Sequence, residues 1–411
     1  MYDAIVVGAR CAGSPTAMLL ARKGYRVLLL DKATFPSDIL STHYVQQAGI
    51  ARLKRWGLLE RLTASNCPPI FMGTFDFGPF ALTGAPPQAD GIAAAYCVRR
   101  TVLDKILVDA AVAAGVELRE DFTVQEVLMD GQCVTGIRGR ASGGSSVTEQ
   151  ARIVIGADGR HSLVARTVQA PMYNERPTFG CCYYTYWSEV PTQGFEIHPR
   201  DKRIMGAFPT NDGLVCILVA WPHAEFHAFR ADIEGNYLKT LELVPKLAER
   251  VRTGKREEHF VGTADLTNFF RKPYGSGWAL VGDAGYHKDP STAQGITDAF
   301  RDAELLTEAL DSGFTERRPL EEALAGYERQ RNETVMPIYE LTCQLASFEP
   351  PPPQMQQLFA ALQGNQEQTN RYFGTIAGTV SVPEFFSPQN IQQIMATAGV
   401  RAIPTKSADS S

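Results

Sequence analysis

The sequence predicts an α/β protein in which a parallel-sheet domain built from βαβ units is interleaved with a mostly antiparallel β-sheet domain and followed by a helical C-terminal region. Three observations carry that expectation. The chain opens on strand, helix and strand in quick succession. Its middle turns to aromatic and β-branched residues spaced by Pro and Gly, and its last third holds long stretches of helical periodicity. At 411 residues the chain also exceeds what one hydrophobic core usually serves.

Taken in order, Ile5 to Val7 reads as a buried strand, residues 12–23 as a helix closed by Gly24, and residues 26–30 as a second apolar strand. Residues 48–62 are helical by the spacing of Ile50, Leu53 and Trp56, whereas residues 71–85, rich in Phe, Gly and Pro, read as strands and turns. A strong helical pattern over 103–114 closes at Gly115, and 116–118, 124–129 and 134–137 then alternate as strands. Residues 152–155 are one more apolar strand. From Cys181 to Phe260 the residues Tyr183, Tyr184, Tyr186, Trp187, Phe195 and Ile197 set a texture that predicts a mostly antiparallel sheet. Residues 278–281 return to buried strand, 293–310 are helical, and 321–346 form a long helix kinked at Pro337. Pro350 to Pro353 act as a stiff connector, followed by one helix near 354–362 and a disordered end.

Composition excludes several classes. The chain is 44% hydrophobic and 21% charged with a formal net charge of −5, so it lacks the basic excess of a nucleic-acid binder. Its eight cysteines include no CxxC pair and sit in apolar runs, which predicts reduced thiols and a cytoplasmic protein. No apolar run is long enough to span a bilayer, and no basic segment with a cleavage site opens the chain, so no membrane association is expected. His223 and His227 flank Glu225 at helical spacing, but no third ligand accompanies them, so no metal is expected.

The turn between the first strand and the first helix reads Gly8-Ala9-Arg10-Cys11-Ala12-Gly13, where glycines allow a sharp turn and bring helix amides against a pyrophosphate. Asp31 ends the second strand at the spacing that accepts an adenosine ribose, with Lys32 beside it. This is the start of a Rossmann-type domain. Arg10 replaces the usual middle glycine, so the turn requires it to keep a negative φ, and its guanidinium is expected to neutralise phosphate charge.

Three later segments agree in order and spacing: Arg100-Thr101-Val102-Leu103-Asp104 opening a helix, Gly156-Ala157-Asp158-Gly159 after a strand, and Gly282-Asp283-Ala284 leading through Pro290 to Gln294-Gly295-Ile296. In this combination the chain, from about Tyr2 to Leu310, resembles the FAD-dependent monooxygenases of the aromatic-hydroxylase type, a group that shades into flavin halogenases and prenyl-chain reductases. The resemblance implies that Gly8, Arg10, Cys11, Ala12, Gly13, Asp31, Lys32, Thr42, Arg100, Val124, Asp158, Gly159, Gly282, Asp283, Pro290, Gln294, Gly295 and Ile296 hold FAD. Within that set Asp283 takes a ribityl hydroxyl, Val124 lies against the adenine, and the helix opening at Gly295 turns its positive end to the flavin pyrimidine. The chain departs from the group where Ala293 replaces glycine and where Gly285-Tyr286-His287 replaces Ala-His.

The implied domain plan assigns residues 1–70, 98–172 and 266–346 to the FAD domain, 71–97 and 173–265 to the substrate sheet, and 347–411 to a C-terminal extension. The implied activity is reduction of FAD by NAD(P)H, or by a separate flavin reductase, reaction with dioxygen to a flavin C4a-hydroperoxide, and oxygen transfer to a small aromatic or polyketide-like molecule. His43, Tyr286 and His287 are the candidate catalytic side chains, and Tyr183 to Trp187, Phe195, Phe208 and Trp221 the candidate pocket wall. A halogenase, a reductase or dehydrogenase without oxygen insertion, and a flavin redox sensor are the competing expectations. Trp-x-Trp-x-Ile-Pro, the halogenase element, is missing; only Tyr186-Trp187 and Trp221-Pro222 stand in that region.

Overall fold

The computed structural model describes residues 1–398. Strands Tyr2–Val7 and Val27–Leu30 carry apolar side chains on both faces, which only a sheet covered on both sides can accommodate. They lie at the centre of such a sheet. Tyr2–Val7 pairs in parallel with Val27–Leu30 on one side and Val147–Gly156 on the other, and Glu117–Arg119 and Trp278–Leu280 extend the parallel order outward.

The two-residue period divides these strands between two cores. Ala4, Val6, Val27, Leu29, Ile153 and Ile155 face the helices Gly13–Arg22, Arg100–Ala113 and Gly295–Phe314. Ile5, Val7, Leu28, Leu30 and Val154 face the hairpin Phe122–Asp130 and Cys133–Ala141 and the short helix Leu163–Thr167.

The second large sheet is antiparallel through Gly180–Ser188, Val215–Pro222, Arg203–Pro209 and Phe195–Arg200. Phe195–Arg200 then runs parallel to Gly73–Asp76, which pairs with Ala81–Gly84, so an early segment of the chain completes the sheet. Tyr183, Trp187 and Trp221 lie on its outer face, and Tyr184, Phe208 and Cys216 on the face turned toward the parallel-sheet half.

Three expectations are corrected here. Residues 226–253 are not sheet but the helices Phe226–Ala231, Ile233–Leu241 and Pro245–Thr253. The local signals are an Asp232 side chain that accepts the Gly235 amide at a helix start, Pro245 in a first turn, and Phe229, Tyr237, Leu241, Leu247 and Val251 buried against the sheet. The helix expected over 48–62 is two helices, Gln47–Arg55 and Leu59–Thr63, because Gly57 between them has φ +78°. Beyond the long helix Leu320–Ala346, which contains Pro337, the expected helix Pro353–Leu362 is joined by Gln366–Ala377, Val382–Phe385 and Pro388–Thr397, capped by Asn365, Ser381 and Ser387. The disordered end expected from the sequence lies outside the described residues.

The C-terminal helices pack on the edge of the second sheet, where Leu82, Phe75, Phe77 and Phe80 meet Leu358, Phe359, Tyr372 and Phe373. Phe77 and Phe359 stack with centroids 4.9 Å apart. Among the described residues no helix is long and apolar enough to cross a membrane.

Candidate functional site

A cavity of about 750 Å³ opens where the parallel strands end and the helices Gly13–Arg22 and Gly295–Phe314 begin. Its first turn is built by close backbone approach. Gly8 has φ +103°, and a Cβ there would stand 2.4 Å from the Ala157 carbonyl oxygen; a Cβ on Gly13 would stand 1.7 Å from the Gly8 carbonyl oxygen. Gly13 therefore seats the helix on the strand and does not line the cavity, whereas Gly8, Arg10, Cys11 and Ala12 do. Arg10 stays out of the left-handed region, as the turn requires.

The Arg10 guanidinium does not stand free for a phosphate. One amino group donates to Asp104 Oδ2 at 2.6 Å and the other to Ser37 Oγ at 2.9 Å. Arg100 donates to the same carboxylate from Nε at 3.0 Å and from an amino group at 2.9 Å. Two guanidinium groups thus share one fully buried carboxylate, an excess of one positive charge within the trio that the Asp283 carboxylate of the same cavity also faces. Cys11 Sγ also lies on Asp104, and burial pushes its thiol far up, so it is no nucleophile.

Asp31 is fixed at its strand end by accepting the Ala9 amide at 2.7 Å and the Ala33 amide at 2.8 Å. Asp158 accepts the Leu163 amide at 2.7 Å through Oδ2, while its Oδ1 is buried without a partner and burial raises its pKa. Lys32, Thr42, Arg100, Val124, Gly159, Gly282, Asp283, Pro290, Gly295 and Ile296 all line the cavity as well. Gly282 has φ +61°, and a Cβ there would meet the Ala12 side chain at 2.7 Å. Ala293, which replaces a glycine of the resembling group, adopts φ +50° and ψ +41° all the same.

The candidate catalytic residues fare differently. His43 does not reach the cavity: it is fully buried, with Nε2 2.7 Å from the Tyr186 hydroxyl and Nδ1 unpartnered. Burial, reinforced by Arg100 and Arg99, pulls its pKa down to about 3, so it is neutral at physiological pH. Tyr286 and His287 do line the cavity, the latter tied through Nδ1 to the Thr267 carbonyl. Gln294 turns away and donates its side-chain amide to the Ile376 carbonyl of the C-terminal region at 2.5 Å. Lys288 and Asp289, adjacent in the chain, are both buried and belong to separate networks. Lys288 pairs with Asp298 and donates to the Tyr286 hydroxyl at 2.7 Å, whereas Asp289 accepts the amide and hydroxyl of Ser291. Glu225, between His223 and His227, is engaged by Arg203 at 2.7 Å.

A second cavity of about 770 Å³ adjoins the first and is walled by Phe75, Phe77, Tyr184, Phe208, Phe348 and Phe359 among others. Leu40, Ser41, Thr42, Leu266, Asp289, Pro290 and Ala293 line both. Of the expected wall residues, Tyr184 and Phe208 face it, while Tyr183, Trp187 and Trp221 are on the opposite face of the sheet and pack against the 226–253 helices. Two groups escaped the sequence reading. One is the acidic and basic set on the first turns of Gly295–Phe314, whose only signal is charge on the buried side of an apolar helix; the other is the C-terminal wall, which has no local signal.

The first cavity fits an adenine dinucleotide: a turn that excludes Cβ atoms, a carboxylate fixed at the end of the second strand, two guanidinium groups beside the turn, and an orphaned carboxylate oxygen. Joined to an apolar cavity, it defines a flavin-type oxidoreductase. The chain belongs to the FAD binding domain family, whose model matches residues 1–342, and it is an FAD-dependent oxidoreductase. Among curated proteins it is 26% identical over 365 residues to digeranylgeranylglycerophospholipid reductase 1 of Methanopyrus kandleri, covering 85% of this chain and 91% of that protein. Its fold is shared with the myxobacterial chondrochloren halogenase CndH (TM-score 0.78, 21% identity, 97% of this chain and 96% of that one). It is shared too with PqsL of Pseudomonas aeruginosa (TM-score 0.70, 20% identity, 91% and 99%).

Proposed function

We propose that the protein is a monooxygenase that inserts one atom of dioxygen into a small, apolar, electron-rich molecule of aromatic or polyketide-like character, drawing electrons from NAD(P)H or a separate flavin reductase. The carrying observation is the shared, largely apolar boundary between the two cavities. Bound FAD supplies two-electron transfer and activation of dioxygen. Leu40, Leu266, Pro290 and Ala293 exclude water from that boundary, the condition under which a reactive centre is spared hydrolysis and uncoupling.

Among the described residues Asp289 is the one carboxyl common to both linings, and burial raises its pKa although Ser291 stabilises its anion. It holds or moves a proton on the substrate. Tyr286 and His287 shape the cofactor side of the boundary, and neutral His43 positions Thr42, its neighbour in sequence, from behind.

Turnover with isotope-labelled dioxygen tests this reading: one labelled atom enters each product molecule, and oxygen uptake matches product formed. Product made anaerobically by the pre-reduced enzyme sinks it and supports the second reading, saturation of a carbon–carbon double bond. That second reading is favoured by a buried acid at the boundary able to deliver the proton, and by the reductase activity in the name of the Methanopyrus kandleri relative.

A further inference from the structure

Behind the loop 282–290 lies a buried cluster of charge that the FAD reading does not use. Lys288 Nζ pairs with Asp298; Arg301 donates to Asp298 Oδ1 at 2.7 Å and to Asp302 Oδ1 from an amino group at 2.7 Å. Arg331 is fully buried and has no carboxylate partner among the described residues. It donates instead to the Gly285 carbonyl at 3.1 Å and the Arg271 carbonyl at 3.2 Å. Lys288, Asp298 and Asp302 line the first cavity, and Asp302 Oδ2 is buried with no partner.

Three cations therefore stand against two carboxylates, an excess of one positive charge in a region of low polarizability. The Arg10, Arg100 and Asp104 group holds the other excess charge, at the pyrophosphate turn. In a cavity that Asp31, Asp158, Asp283 and Asp289 also line, these two clusters are the places where cations outnumber their paired carboxylates, Arg301 and Arg331 standing behind the lining, and a ligand with two separated anionic parts matches them. Oxidised FAD has only one, its pyrophosphate. A ring that takes up two electrons and one proton acquires the second.

We propose that Lys288, Arg301 and Arg331, in excess over Asp298 and Asp302, are positioning residues that provide the counter-charge of the reduced flavin ring and so raise its electron affinity. Their geometry adds to the uncapped start of Gly295–Phe314, whose amides point the same sign of charge into the cavity. Direction of titration agrees: burial raises the pKa of Asp302, so its negative charge is the easier one to lose. Asp298, although buried, is held below the usual carboxylate range by Lys288 and Arg301. The inference rests on FAD filling the first cavity and is indifferent to the choice between oxygen insertion and reduction.

Sulfite affinity tests it without turnover, because sulfite adds to the oxidised ring and leaves negative charge on it. Flavin bleaching is titrated with sulfite in the FAD-loaded wild type, Lys288→Met, Asp302→Asn and the surface control Lys272→Met. Removing a cation weakens sulfite binding by about tenfold, removing a carboxylate strengthens it by about threefold or more, and the control stays within about twofold. Midpoint potentials by dye equilibration move in the same senses. A shift of both cluster variants in one direction, or of neither beyond about twofold, overturns the proposal. Should Lys288→Met not retain FAD, Asp302→Asn decides alone, since tighter sulfite binding supports the idea and unchanged or weaker binding refutes it. Wild-type protein that stays colourless after reconstitution counts against the FAD reading itself.

Discussion

The two adjoining cavities are of similar size and opposite construction. The first cavity is made by backbone and charge: glycines where a Cβ would collide with a carbonyl, helix starts, and carboxylates fixed by main-chain amides. The second cavity is made by side-chain volume, with aromatic rings arriving from residues 75–80, 184, 208 and 348–372. The first cavity is thus specified by a few local turns whose glycines at 8, 13 and 282 leave no room for a Cβ, and the second by a sum of apolar surfaces that can be traded for one another.

Gly13→Val gives the largest expected effect. The added side chain must displace the Gly8 carbonyl, and FAD affinity falls by on the order of a hundredfold or more, read as loss of flavin absorbance after gel filtration. Retention of FAD would show that the turn is not what holds it. Next is acid stability. Folded His43 titrates at about 3 against an ordinary value near 6.5, so the unfolded chain binds a proton that the folded chain refuses, and this contribution to stability is lost as pH falls from about 6.5 toward 3. His43→Gln removes about one proton from the pH slope of unfolding in that window, measured by denaturant titration.

Ala220→Phe projects into the second cavity only, so it weakens binding of an apolar aromatic probe by about tenfold while the flavin spectrum is unchanged. Loss of both properties together would mean that the cavities are not independent. The smallest effect is a gain: Ala293→Gly relieves a left-handed alanine and raises stability by up to about 1 kcal/mol, seen as a slightly higher Tm.

The same division explains what could be read from the chain in advance. That the opening turn, Asp31, Asp158 and Asp283 come together at one cavity was legible because each sits at a strand end, where two or three neighbours in sequence define the geometry. Tyr184 was legible as a wall residue only together with Tyr183 and Trp187, because alternation along a strand says that neighbours part company without saying which face meets the substrate. Phe348, Phe359 and Tyr372 carried no signal: Phe359 and Tyr372 reach the cavity through tertiary packing against Phe75 and Phe77, and Phe348 lies against Gly180. Gln294 misled because its place in a flavin motif implied a cofactor contact, whereas the nearby C-terminal helix offers a buried carbonyl at closer range.

That Gln294–Ile376 hydrogen bond joins a loop inside the family match, residues 1–342, to a wall beyond it. The same C-terminal segment is packed on Phe75, Phe77, Phe80 and Leu82, so the helices that wall the second cavity are clamped both to the loop 282–294 and to the edge of the antiparallel sheet, and a shift of either is felt at the other.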